Sequence, residues 1–266
     1  MIDTLIAELT AVAYGPGPLT IRATALLHPL QALLRYDGVS ITLRDPERDR
    51  HEPVIQRGCE PDDTVVVTEL DAADGLLGLH FRGSTAIPAG LAALLGTVGP
   101  LIAHAVDPRP ALAVTASLVT ATYAGIVLTR AGDTEELPGL PGHPLLTRGS
   151  PTLAEARACL TTGAAPASYL AGASSRYAQV TVLSTADIPP GHRIGVALLS
   201  TPPDLRDLTH HELTLLGMRL AGRRTRDTIA MMDVIRHKLG VSSRAKALLY
   251  AAAHGLYLPA GACGEP

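Results

Sequence analysis

The sequence predicts an α+β protein: two small α/β modules followed by an all-α end. Short runs such as "VSITLRD" and "YAQVTVLST" alternate apolar and polar residues with a period of two, as half-buried strands do. Longer runs such as "IDTLIAELTAVA" repeat apolar residues at helical spacing. The charge also changes sign along the chain. Residues 1–207 hold 14 basic residues against 21 acids, whereas residues 208–266 hold eight against four. An acidic body joined to a basic end fits a ligand-sensing body with a nucleic-acid-facing segment.

The elements follow in order. Leu5, Ile6 and Leu9 set the first helix, which Pro16, Gly17 and Pro18 break. A second helix runs from about Thr20 to Arg35, with Leu26, Leu27, Leu30 and Leu34 on one side and Pro29 as a kink point. Asp37-Gly38 opens a strand that buries Val39, Ile41 and Leu43, and the charged tip "PERDR" predicts a hairpin return through "HEPVIQRG". "TVVVTEL" and "GLLGLHF" supply two more strands. A closing helix spans Ala89–Val106, kinked or interrupted at Gly99-Pro100. "DPRP", Asp107–Pro110, marks a boundary. Beyond it lie a strand at "AGIVLTRAG", a proline-punctuated loop, and a helix capped by Ser150 with Pro151 at its first position. That helix turns Leu153, Ala156 and Leu160 inward. Strands at "YAQVTVLST" and "HRIGVALLST" complete the second module.

The helix, helix, strands, closing-helix order of residues 1–108 resembles a short GAF domain. Residues 109–204 resemble a second module of PAS or GAF type. Residues 205–266 make the all-α end.

That end opens with Thr209 and Glu212 at the spacing of a capping box, and a Leu213, Leu216, Leu220 stripe closes at Gly222. Gly240 stops a later helix, and Ser242 or Ser243 starts the last one, which Gly255 ends. Leu208-Thr209, Glu212, Leu216, Gly222, Ile229-Ala230, Lys238-Leu239-Gly240-Val241 and Ser243-Arg244 together resemble the C-terminal helix-turn-helix of LuxR-family regulators. With a GAF-like body ahead of it, the chain resembles the actinobacterial regulators of that family. The resemblance implies a transcriptional regulator, a small-molecule ligand and a homodimer, with dimer contacts through the last helix. One departure is large. Between Ala230 and Lys238 stand only seven residues, "MMDVIRH", where the family places a helix end, a turn and most of the recognition helix. None is Gly, Pro, Ser or Thr. Ile229, Met232, Ile235 and Leu239 instead predict one uninterrupted helix from about Arg226 to Leu239.

A recognition helix reads bases only when a turn aims it into the major groove. Arg223, Arg224, Arg226, Arg236, Lys238 and Arg244 remain as phosphate-neutralising candidates, which position a protein without specifying sequence. Weak nucleic-acid binding with little discrimination is the expectation. The alternative is an enzyme on a regulator's scaffold doing metal-free acid–base or cyclisation chemistry. Tyr123, His143, Tyr169, Tyr177 and His192 are the polar pocket candidates for either reading.

Composition narrows the classes further. A hydrophobic share of 47% with 3% aromatics, no Trp and one Phe predicts an aliphatic core and argues against base stacking. No apolar run approaches the roughly 20 residues of a membrane span, and "MIDTLIAELT" has no basic leader region. Cys59, Cys159 and Cys263 form no disulfide or metal pattern, which makes a reducing cytoplasm the expected compartment. Cys159 is expected as a small buried hydrophobe. His210-His211-Glu212 is the densest histidine cluster, but neighbours on a helix face different ways, so it reads as a helix-start surface. No metal or cofactor motif is present.

Overall fold

The computed structural model describes residues 2–15, 17–60, 63–82, 90–173, 176–185, 188–223 and 228–260. It is a mixed α+β fold with two sheets. The chain divides into two compact units, Met1–Leu112 with Ala186–Arg193, and Ala113–Thr185 with Ile194–Pro266.

The first unit contains α1 (Ile2–Ala13), α2 (Leu19–Leu34), β1 (Gly38–Asp45), β2 (Arg50–Arg57), β3 (Thr64–Leu70), β4 (Gly75–Phe81) and α3 (Leu91–Val106). Its antiparallel sheet has the order β2-β1-β4-β3. The period-two residues Val39, Ile41 and Leu43 meet Leu77, Leu79 and Phe81 on one face, and the helices cover it. Leu26, Leu27, Leu30 and Leu34 are all buried there, as the α2 spacing requires. The expected hairpin forms, and Glu52 on β2 accepts from Arg50 at 2.7 Å and from the Gly191 backbone at 2.8 Å. These two bonds, the Arg50 pair first, hold the Glu52 carboxyl below its ordinary pKa. Buried Arg22 on α2 donates to the Asp107 carbonyl at 3.1 Å and so fastens α2 to the end of α3.

Gly99-Pro100 does not interrupt α3, which continues to Val106. Its neighbour α4 (Arg109–Ser117) begins inside the "DPRP" boundary and is not announced by the sequence pattern. Asp107 makes the difference: its carboxylate accepts from the Arg109 backbone at 2.9 Å and starts a new helix at once. Leu91–Ser117 is the one described stretch long and apolar enough to cross a membrane, and 56% of its most apolar 18-residue window is buried. In α3 the buried side comprises Leu91, Leu95, Val98, Ile102 and Val106, which belong to the core of the first unit.

The second unit contains β5 (Thr122–Thr129), β6 (Thr134–Glu136), α5 (Pro151–Thr161), β7 (Ala167–Ala173), β8 (Arg176–Ser184), β9 (Arg193–Ser200), α6 (His210–Leu220), α7 (Thr228–Lys238) and α8 (Arg244–His254). The sheet order is β6-β5-β9-β8-β7. Ser150 accepts from the Leu153 backbone at 3.1 Å and caps α5, with Pro151 next to it, as its sequence indicates. Helix α5 packs Leu153, Ala156 and Cys159 on Ala178, Val180 and Val182 of β8 and Ala197 and Leu199 of β9.

The C-terminal helices belong to this same compact unit, although the sequence suggested a third domain over 205–266. Three contacts explain this. Leu170 of β7 joins the core formed by Leu213, Leu216, Ile235, Ala247 and Ala251. The Leu170 backbone donates to the Tyr257 carbonyl at 2.9 Å, which covers an otherwise open sheet edge. Gln179 of β8 donates to the His254 carbonyl at 3.2 Å.

Two glycines permit this approach. Gly255 lies at φ 65, and a Cβ there would press on Ser168 and Gln179. Gly217 of α6 is the tighter case, because a Cβ would overlap the Leu258 carbonyl oxygen. The Leu258 N–H donates to the Leu213 carbonyl at 3.1 Å, so the strap cannot move away without breaking that bond. Gly217→Ala is therefore expected to cost about 2–3 kcal/mol by overpacking, read as a lower urea midpoint. Gly96→Ala, in an exposed and open position on α3, is the control and should gain about 0.5–1 kcal/mol.

Candidate functional site

Helix α7 runs through Met231–Asp233 without a turn. It spans Thr228–Lys238, while Arg224 and Arg226 lie outside the described residues, as does Cys263. Met232, Ile235 and Leu239 are buried, as the stripe predicts, but Ile229 is 66% exposed and does not join them. Helix α8 has one inward and one exposed side. Ala247 and Ala251 face inward, whereas Ala245, Leu249 and Ala252 lie on the exposed side.

Three of the basic candidates, Arg236, Lys238 and Arg244, lie against carboxylates of the same segment. Glu212 completes the capping box, accepting from the Thr209 backbone at 2.7 Å while Thr209 accepts from Glu212 N–H at 3.3 Å. The same carboxylate, buried, takes the Lys238 ammonium at 2.7 Å, and Lys238 also donates to the Asp207 carbonyl at 2.8 Å. Burial pushes the Glu212 carboxyl up, but the Lys238 hydrogen bond and the Thr209 bonds outweigh it and hold the group below its ordinary pKa. Asp233 on α7 receives Arg244 of α8 through two bonds, at 3.0 and 2.7 Å, and Arg236 approaches it at 3.7 Å. The Arg244 bonds lower the Asp233 pKa and raise that of Arg244. Arg223 is exposed beyond the end of α6.

The polar pocket candidates do not converge. Tyr123 is exposed and meets the His143 ring edge-on at 5.9 Å, and His143 Nδ1 accepts from the Leu145 backbone to cap a short 3-10 turn. Tyr169 is buried, donates to the Thr152 carbonyl at 2.7 Å, and has its phenol pKa pushed well up by burial. Tyr177 meets His210 Nδ1 at 2.8 Å, with the rings stacked, at the start of α6. His192 is buried and belongs to the first unit, unlike the other four. The first sheet also carries a polar row that the sequence reading passed over. Ser40 Oγ lies 3.2 Å from His80 Nε2, and His80 Nδ1 lies 4.0 Å from Asp63. The Ser40 hydroxyl sits in the hollow over Gly78, where a Cβ would meet it, so the row reads as a packed seam.

A cavity lies elsewhere in the second unit. A groove of about 700 Å³ is bounded by α5, the start of β7, the ends of α6 and α8, and the strap through Tyr257 and Pro259. Alanines supply much of its wall, from Ala158 on α5 to Ala252 and Ala253 on α8. Glu155, Cys159 and Thr162 line it from one face of α5, at the i, i+4, i+7 spacing visible in the sequence. Burial raises the Cys159 thiol, with Glu155 adding to it, and raises the Tyr257 phenol to about 12. Both groups therefore hold their protons at neutral pH. None of the five polar candidates lines the groove. Among the described residues no three His, Cys, Asp or Glu side chains gather as a metal site.

Comparison with protein-family models finds no match for the chain, and comparison with curated proteins finds none either.

The Glu212–Lys238 pair yields a signed prediction. Because the folded-state pKa of Glu212 is depressed, its contribution to stability is present above the unfolded value near 4.3 and is lost as pH falls through the folded value. Glu212→Gln should flatten the loss of stability below about pH 4.5 in urea titrations. Lys238→Met, which leaves a buried carboxylate unpaired, should cost about 2–3 kcal/mol at pH 7.

Proposed function

We propose that the chain is a LuxR-like, regulator-type protein with a small-molecule-sensing body and impaired sequence-specific DNA reading. In this reading the first unit is a short GAF-like module, the second sheet a PAS- or GAF-like one, and α6–α8 the shortened relic of a helix-turn-helix. The order of helices around the first antiparallel sheet supports the GAF-like assignment, and the groove in the second unit supports ligand sensing. The exposed Ala245, Leu249 and Ala252 on α8 suit close helix approach in a homodimer. A cytoplasmic setting agrees with Cys59 and Cys159, which are both free thiols.

One observation carries the loss of DNA reading. Helix α7 has no bend, and its cationic end and that of the following helix are neutralised by Glu212 and Asp233. With no second axis to aim into the major groove, base readout lacks its physical carrier, and the basic residues that remain can serve phosphates only. The scattered placement of the five polar candidates favours this reading over a repurposed enzyme.

Fluorescence anisotropy with random and palindromic duplexes tests it. The expected dissociation constant is about 10⁻⁶ M or weaker at 0.15 M salt, with sequence discrimination below about tenfold. Nanomolar, sequence-selective binding by the chain alone would overturn the proposal.

A further inference from the structure

The groove of the second unit is built in an uncommon way. It measures about 700 Å³, within the range of roughly 300–1,000 Å³ typical of small-molecule sites. Its described wall is largely alanine, proline and leucine, so it offers dispersion contact and dry surface but few hydrogen bonds. A single charged side chain, Glu155, lines it. Glu155 is half-buried and has no ion pair among the described residues, whereas the neighbouring Arg157 turns away to the Arg130 carbonyl. The two proton-bearing groups beside it are not counter-charges: Cys159 is a thiol and Tyr257 a phenol whose pKa is raised, with Glu155 contributing in both cases. The negative charge of Glu155 is thus felt across the groove and answered by nothing there.

The Glu155 carboxylate is the one charged group of this wall, and a cation arriving with an apolar body pairs with it while filling the alanine-lined space. An anionic ligand would meet like charge there. From this charge complementarity we infer that the groove binds a small amphipathic organic cation, its ammonium head on Glu155 and its hydrocarbon body along α6 and α8. The inference rests on reading the second unit as a ligand sensor and names the ligand class that the sensor takes. Thr162 and Ser168 at the rim supply hydroxyl acceptors for the remaining ammonium protons.

Calorimetric titration of the full chain with n-octylamine, n-octanol and octanoate decides the matter. Octylamine should bind at least tenfold more tightly than octanol or octanoate. Glu155→Gln should remove that preference, and Ala253→Trp, which fills the groove from the exposed side of α8, should abolish binding. Circular dichroism should show both variants folded. If octanol and octylamine bind alike and Glu155→Gln changes neither, while Ala253→Trp still abolishes both, the cation assignment falls and the sensing groove stands. Tighter binding of octanoate would likewise overturn the cation assignment. If no probe binds, or if Ala253→Trp leaves binding intact, the groove is no ligand site and both readings of it fall.

Discussion

The Glu212 carboxylate is the point on which the C-terminal architecture turns. It closes the first turn of α6 through Thr209 and receives Lys238 from the last turn of α7. Asp233 then links α7 to α8 through Arg244. Two carboxylates thereby order three helices, and the same bonds withdraw cationic groups from any outside partner. The two links differ in weight. Glu212 is buried, so removing its partner strands a charge. The Asp233–Arg244 pair is exposed and fixes geometry more than stability.

Held in this way, the helices pack on the sheet and do not stand apart from it. Gly217 lets the 256–260 strap cross α6 at contact distance, Gly255 lets α8 end against β7, and Leu170 enters the helical core. The groove follows from the same packing. Alanines on α5 and α8 hold the helices' side chains short where the strap crosses, and the space they leave contains one carboxylate. The polar end and the alanine-lined groove thus share one scaffold. The groove is walled by the ends of α6 and α8, the helices that Glu212 and Arg244 tie to α7.

Much of the fold could be read from residue spacing. The α1, α2 and β1 stripes, the Ser150 cap, the Thr209–Glu212 box and the straight course of α7 all depend on local periodicity and capping, which sequence carries directly. Strands β6 and β7 and helix α4 escaped it. Strand β7, "ASYLAGA", is too rich in alanine and glycine to register as a strand and is held by pairing with β8. Helix α4 begins where Asp107 caps it, directly after a proline-marked boundary. The candidate site was less legible. Lys238 and Arg244 look like phosphate ligands in one dimension, and only tertiary packing brings Glu212 and Asp233 to them. Glu155 was visible in the sequence as an acid near a helix start, but the alanine wall opposite it comes from residues some hundred positions away, such as Ala253.

Amide hydrogen exchange across residues 210–258 tests the central claim most directly. The account predicts that α7 amides from Met232 to Lys238 are protected without a break and open together with α6, α8 and β7 as one cooperative unit. Rapid exchange confined to Met231–Asp233, or an α7 that opens independently of the sheet, would contradict it.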